Sequence, residues 1–563
     1  MQLKNNFIKL IISLVIIIAG AYILSIKFIR FDLTSEGRYT LSDYTINILK
    51  NLNDKVYIKV YLEGEGLPST LKNYNKQIKE ELDEFKVYAG KNLEYEFINP
   101  SESTDKEVRF GLYKSLSDKG IIPIQTNEIS DDGKSSQKMV FPGAIISYKG
   151  KENTINLLKT SVNSTPESEE NINNSIQSLE YELTNSIQKL SKNKKNEIAF
   201  IEGHGELNEY EVMDISSVLS EYYLIKTGKI NGTPGILDNF KAIIIAKPEK
   251  AFSEKDKFII DQYIMNGGNV MLLADGCKTN TDSLFITGNT ISLAQDLNLN
   301  DLLFQYGARI NNDLLQDKYS SPIGLTTKGA DEKPIIKRFP WYYFPVLATD
   351  NKHVISKYLN YIKTEYISTI DTVGKNSNIK KTILLKSSPY TKLDPIPTRI
   401  SFNQINHMPP DQEMNAGQKN IAVLLEGKFT SIFKNRPIQK YFPNLSLPEV
   451  KTKGINAKII IVSDGDLIRN EVSRNGKPYP IGFDKFTQQT FKGNKEFVLN
   501  SLNYLCDDEG LMTIRSRELK MRLLDNKRIN QNSTLIKSLN VIFPILSLLI
   551  FGVIVSFIRR KKY

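Results

Sequence analysis

The chain has 563 residues, 24% charged and 40% apolar, which excludes a disordered spacer and predicts two or more domains. Its net charge of +11 is spread along the sequence, with no basic run or motif of the nucleic-acid-binding kind. Three scattered histidines (His204, His353, His407) and two cysteines (Cys277, Cys506) exclude a histidine-rich metal centre and give no zinc-ligand spacing.

Phe7 to Phe28 is almost unbroken apolar sequence, long enough at about 20 residues to cross a bilayer as a helix (7–28). Ala19-Gly20-Ala21 also suits a signal-peptidase site, but the apolar run continues through Tyr22, Ile23, Leu24 and Ile26, and we read a retained anchor. Thr34 to Gly37 reads as a turn, and Ser42 as the N-cap of a short helix carrying Ile46, Leu49 and Leu52. Val56 to Leu62 alternates as a strand, Leu71 to Tyr88 has helical spacing, and Leu93 to Ile98 is a strand again. A helix over 106–119, a strand over 121–126 and a hairpin (138–148 with 154–158 around Lys149-Gly150) complete a small α/β domain, 31–160. Its element order is compatible with a thioredoxin-like layout. Without a Cys-x-x-Cys, redox chemistry is excluded.

A helix over 176–189 leads into a second α/β domain, 175–510. Its apolar strands at 197–202, 241–246, 269–274 and 458–462 alternate with helices at 210–219, 253–265 and 495–505. This pattern predicts a doubly wound parallel sheet. Between about 314 and 453 short strands and Pro-rich turns predict a β-rich insertion. A charged helical stalk (511–540) then leads to a second uncharged span, 541–558, which runs into Arg559-Arg560-Lys561-Lys562. That cluster places the C-terminus in the cytoplasm. Two spans put both termini on that side and export everything between them.

Glu202-Gly203-His204-Gly205-Glu206 closes a predicted strand, at the sheet edge where open α/β sheets bind ligands. His204 between two carboxylates suits acid, base or ligand duty, but with no second histidine or nucleophile nearby in sequence a tight turn around a hydrogen-bonded histidine is the preferred reading. Cys277 follows another strand but lacks the flanking glycines of a nucleophile elbow. Ser463-Asp464-Gly465-Asp466 reads as a turn, or as two carboxylates short of the remaining ligands of a calcium loop. Trp341, in Pro340-Trp-Tyr-Tyr-Phe-Pro345, is either a partner-binding anchor or core of the insertion. The candidate ligand or partner residues are therefore Glu202, His204, Glu206, Asp464, Asp466 and Trp341. No catalytic residue, metal or cofactor is assigned.

Four segments taken together carry a resemblance. They are Arg30 to Ser42, Gly203-His204-Gly205-Glu206, Ser463-Asp464-Gly465-Asp466, and the stalk pair Ile514-Arg515-Ser516-Arg517-Glu518 with Arg522-Leu523-Leu524-Asp525. In this order the chain resembles, over nearly its whole length, the gliding-motility-associated ABC transporter substrate-binding (auxiliary) protein family, GldG type. The resemblance implies a non-catalytic periplasmic subunit of the bacterial inner membrane, linked to surface gliding and the associated protein secretion. It implies an ABC permease and ATPase as partners, with membrane lipid and a periplasmic protein partner, and no nucleic acid. The second domain would be glutamine-amidotransferase-like without the catalytic set. The absence of a Walker Gly-x-x-x-x-Gly-Lys-Ser/Thr assigns ATP use to another chain. The competing readings are an exported hydrolase or amidotransferase-like enzyme, pairing His204 with Cys277 or a carboxylate, and a rigid envelope scaffold.

Overall fold

The computed structural model describes residues 40–516 and 533–562, apart from 65, 130–134, 160–164, 193–194, 329–333, 350–351, 375–377, 444–449, 474 and 508–509. The expected first span (7–28), the segment 30–39 and residues 517–532 of the expected stalk lie outside the described residues.

Ser42 caps helix α1 (Asp43–Lys50), its hydroxyl accepting from the Thr45 N–H at 3.1 Å. Strand β1 (Val56–Val60) buries Val56, Ile58 and Val60 and exposes the two residues between, the strict alternation of a half-buried strand. Helix α2 (Ser69–Ala89) carries the chain to β2 (Leu93–Phe97), parallel to β1. After α3 (Lys106–Asp118), a separate hairpin of β3 (Ile124–Ile129) and β4 (Ser135–Val140) precedes β5 (Gly143–Tyr148) and β6 (Lys151–Asn156). The strand expected over 138–148 is thus two strands. Pro142, with no N–H for a ladder, stands at the break. The four-stranded sheet has the order β2-β1-β5-β6, with β5 antiparallel to β1 and β6 to β5.

Helix α4 (Glu169–Ser191), capped by Ser168, lays Ile172, Leu179, Leu183 and Ile187 on this first core. Most of that helix falls within the expected second domain, 175–510, while its apolar stripe covers the first core. Helical periodicity identifies an apolar stripe but not which core covers it.

The second sheet begins with β7 (Glu197–Glu202), α5 (Met213–Ser220), β8 (Leu224–Lys229), β9 (Ala242–Ala246), α6 (Glu254–Met265) and β10 (Asn269–Leu273). In the inserted region β11 (Ser320–Lys328) and β12 (Pro334–Leu347) form a long hairpin, joined at its base by β13 (Ile362–Lys363). The chain returns through β14 (Ile379–Lys386), β15 (Asn420–Thr430) and β16 (Lys453–Val462) to helices α7 (Lys492–Cys506) and α8 (Leu511–Ser516). The seven-stranded order is β14-β15-β16-β10-β9-β7-β8, parallel from β16 to β8 with β15 and β14 antiparallel at one side. Part of the expected insertion therefore belongs to the main sheet.

Strands β9 and β10 are buried along their whole length, as parallel strands covered on both faces must be. Ile244, Met271 and Ile460 enter one core, while Ile243, Ile245, Leu272 and Ile461 enter the other. Each such side chain contributes about 1.5–3 kcal/mol by leaving water. Cys277 and Cys506 are buried in different cores and form no disulfide with each other. Helix α9 (Ser533–Lys562) is described by itself. Lys537–Ile558 is, among the described residues, the one segment long and apolar enough to cross a membrane.

Candidate functional site

In the sheet order, β7 is followed on one side by β8 and on the other by β9 and β10. The topological switch point lies between β7 and β9, and the carboxyl edge there is where open α/β sheets place ligands. Here that crevice is filled by the protein itself. His204 stacks on Phe252 with ring centroids 3.7 Å apart and planes 14° apart. Its Nδ1 lies 3.2 Å from Glu206 Oε1, and its Nε2 lies 3.2 Å from Asp256 Oδ2. The His204 N–H donates to Glu206 Oε2 at 2.6 Å, and the His204 carbonyl accepts from the N–H groups of Glu249 and Lys250 at 2.8 and 2.7 Å. Gly205, at φ +78°, lets the loop approach so closely that a Cβ there would meet Glu249 Cβ at 3.2 Å. Glu202 ends β7 opposite Lys229. Burial alone would lower the His204 pKa, but the hydrogen bonds to Glu206 and Asp256 outweigh it and raise the value above the ordinary one.

A second group forms beyond β9, β10 and β16. Lys247 Nζ lies 2.5 Å from Asp466 Oδ2 and 3.9 Å from Asp275 Oδ2. Arg469 reaches Asp466 and Glu211, each at 3.3 Å. Asp275 accepts from the Gly465 N–H at 2.6 Å, and Asp464 accepts from the N–H groups of Asp466 and Glu365 at 2.8 and 3.2 Å. Gly465 sits so close to Lys247 that a Cβ there would lie 2.5 Å from Lys247 Cγ. Carboxylate oxygens of Asp275, Asp464 and Asp466 lie within 4.8 Å of one another, a spacing that suits a cation. The Lys247 ammonium supplies the counter-charge instead, and an ion would have to displace it.

Burial pushes the Asp275 carboxyl up to about 7 against the pull of Lys247, and drives Asp464 well above the carboxylate range. Burial would raise Asp466 too, but Lys247 and Arg469 outweigh it and hold it low. A carboxyl whose pKa is raised on folding lends stability at low pH. That contribution is lost as pH climbs from its unfolded value, near 4, to its folded one. His204, also raised, lends stability below its unfolded value of 6.5, lost as pH rises through its folded value. The two act in one direction. Taking the protein from about pH 8 to about pH 5.5 is expected to raise the Tm of the sheet domain by a few degrees, and Asp275→Asn to flatten that response in scanning calorimetry.

Two cavities of about 80 and 220 Å³ open onto this cluster and share Thr281, Glu365, Asp466 and Arg469. A larger open groove, about 1000 Å³, lies elsewhere, between residues 300–312 and 430–436. Cys277 lines the smaller cavity, its thiol donating to the Tyr366 carbonyl at 3.5 Å, and burial pushes its pKa up. With both His204 ring nitrogens taken by carboxylates, His204 and Cys277 form no acid–base pair.

Of the residues singled out in sequence, Asp464 and Asp466 share one cluster, while Glu202 ends β7 and His204 and Glu206 lie on the loop that follows it. Trp341 stands apart, buried in the inserted core against Tyr343 and Phe402. Lys247, Asp256, Asp275 and Arg469 complete the edge and were missed. Lys247 and Asp275 were signalled by standing one or two residues past a buried strand.

Fold and edge together define a mixed α/β protein with a largely parallel sheet, whose carboxyl-edge crevice is occupied by its own histidine. Residues 195–501 match the ABC transporter auxiliary family, described as an ABC-type uncharacterized transport system, and residues 35–147 match a domain of unknown function (DUF7088). The first match takes in more than half of the chain, which belongs to that auxiliary family. A search of curated proteins gives no match. Among solved structures, the mmIFT52 N-terminal domain is similar at 13% identity and a TM-score of 0.31, over 55% of this chain and 97% of that one.

Proposed function

We propose that the protein is a non-catalytic, membrane-anchored accessory subunit of an ABC transporter complex, of the GldG type linked to gliding motility and its associated secretion. Both termini are cytoplasmic and the two α/β domains periplasmic. The family match over 195–501 carries this reading, and the apolar helix Lys537–Ile558 supports the anchoring. The order β2-β1-β5-β6, with one parallel pair and an antiparallel hairpin, supports a thioredoxin-like first domain; the parallel sheet with its plugged crevice supports an amidotransferase-like second domain without catalysis.

The paths by which the chain enters and leaves these domains support a two-point base. Helix α1 is tied to α4, because the Ser42 N–H and the Thr45 hydroxyl both donate to Glu180 Oε1 at 2.7 Å. Helix α8 rests on the same helix, with Leu511, Met512 and Ile514 buried against Tyr181, Val354 and Tyr44. Asp507 fixes the start of α8 by accepting from the N–H groups of Gly510, Leu511 and Met512 at 2.8, 3.1 and 2.8 Å. The segments that lead to the two termini therefore both brace α4, which connects the first core to β7. Isolation from native membranes in mild detergent tests the assignment, with an ABC ATPase and a permease expected to accompany the chain.

A further inference from the structure

The outer half of the β11–β12 hairpin carries an open strand edge with a defined chemistry. From Pro322 to Lys328 and from Pro334 to Pro340 the register runs without a shift. Pro322 stands opposite Pro340, and neither has an N–H to donate, so this pair is of the non-hydrogen-bonded kind. Alternation makes Gly324–Arg338 and Thr326–Ile336 pairs of the same kind. The N–H and C=O groups of Ile336 and Arg338 therefore turn away from β11, toward the far edge of β12. On that edge β13 pairs with Val346 and Leu347, and the Pro345 and Tyr343 carbonyls accept from Thr364 and Tyr366 at 3.0 and 2.8 Å. Among the described residues nothing in the backbone bonds Ile336 or Arg338 there.

The face beside this edge is apolar with a basic rim. Ile336 is 77% exposed. A Cβ at Gly324 would meet Ile336 at 3.0 Å and Phe486 at 3.2 Å, and Phe486 stacks on the exposed Phe285 at 5.7 Å. Ile336, Phe486 and Phe285 thus form one strip. Arg338 Nε donates to the Phe486 carbonyl at 2.8 Å, and the Lys485 ammonium lies 5.4 Å from the Phe486 ring centroid. Neither Lys337 nor Arg338 has a carboxylate partner among the described residues.

We propose that this edge receives an extended segment of a partner protein. It adds as a strand to β12, with apolar side chains on the strip face beside Ile336 and Phe486, and acidic ones on the opposite face beside Lys337, which shares that face with Phe339. The unpaired backbone groups select a polypeptide, since a lipid headgroup would be served by the cations alone. Apolar strips rimmed by polar residues mark such contacts.

The test titrates the full chain in detergent with a fluorescent peptide of alternating valine and glutamate, then with its valine–lysine counterpart and with phosphatidylglycerol vesicles. Saturable binding of the glutamate peptide is expected, with slowed amide exchange at Ile336 and Arg338. Ile336→Pro removes an outward N–H that β11 does not use, and is expected to weaken binding at least about tenfold. Lys337→Glu keeps every backbone group and reverses the charge on the face that the glutamates meet, and is expected to weaken the glutamate peptide and favour the lysine one. Equal affinity for both peptides, absence of exchange protection, or unchanged affinity in both variants would overturn the proposal. Vesicle binding that the peptide does not compete would assign the face to lipid and overturn it equally.

Discussion

Lys247→Ala is expected to cost the sheet domain about 2–4 kcal/mol, because it leaves three neighbouring carboxyls without their internal cation. Asp464 is fully buried, and the side chains of Asp275 and Asp466 are no more than 17% exposed, so water replaces little of what the ammonium supplies. Arg469 still reaches Asp466, which keeps the loss below that of a wholly stripped ion pair. The loss should be read as a fall in the Tm of the sheet domain. Adding Asp466→Asn to the variant removes one orphaned charge and is expected to restore part of it. Full stability in the single variant would mean that the carboxyls take up protons at no cost, and that the lysine is dispensable.

Trp341→Ala is expected to remove about 3–5 kcal/mol from the inserted region, the usual result of emptying a large core position. Its side chain is 2% exposed and packs at ring-centroid distances of 5.3 Å on Tyr343 and 5.7 Å on Phe402. Trp341→Phe should lose much less. Were Trp341 a partner anchor instead, alanine would leave the Tm unchanged and weaken an association.

Much of the frame was legible from residue pattern. Ala242–Ala246 and Asn269–Leu273 read as buried parallel strands because they are almost wholly apolar, and Ser42 and Ser253 stand as caps where helical spacing begins; the helix expected over 176–189 begins earlier, at Glu169 behind Ser168. Beyond local reach lay the pairing of distant segments. Asn420–Thr430 carries an apolar run compatible with either a subdomain or the main sheet, and only its antiparallel ladder with β16 decides between them. The same limit hid the carboxyl-edge cluster. Asp464 and Asp466 were visible as a turn motif, but Lys247 lies 219 positions from Asp466, and its role exists only once β9 and β16 flank β10. His204 invited a catalytic reading because two carboxylates surround it in sequence. In the fold one of these, Glu206, and the more distant Asp256 use up its ring nitrogens.

We propose that the chain works as a non-catalytic part of an ABC transport assembly. Native mass spectrometry of the chain extracted from its own membranes in mild detergent tests this most directly. A single species containing this chain, an ABC ATPase and a permease is expected, unchanged in composition by His204→Ala or Cys277→Ala. Recovery of the chain alone, under conditions that keep other membrane complexes together, would contradict it.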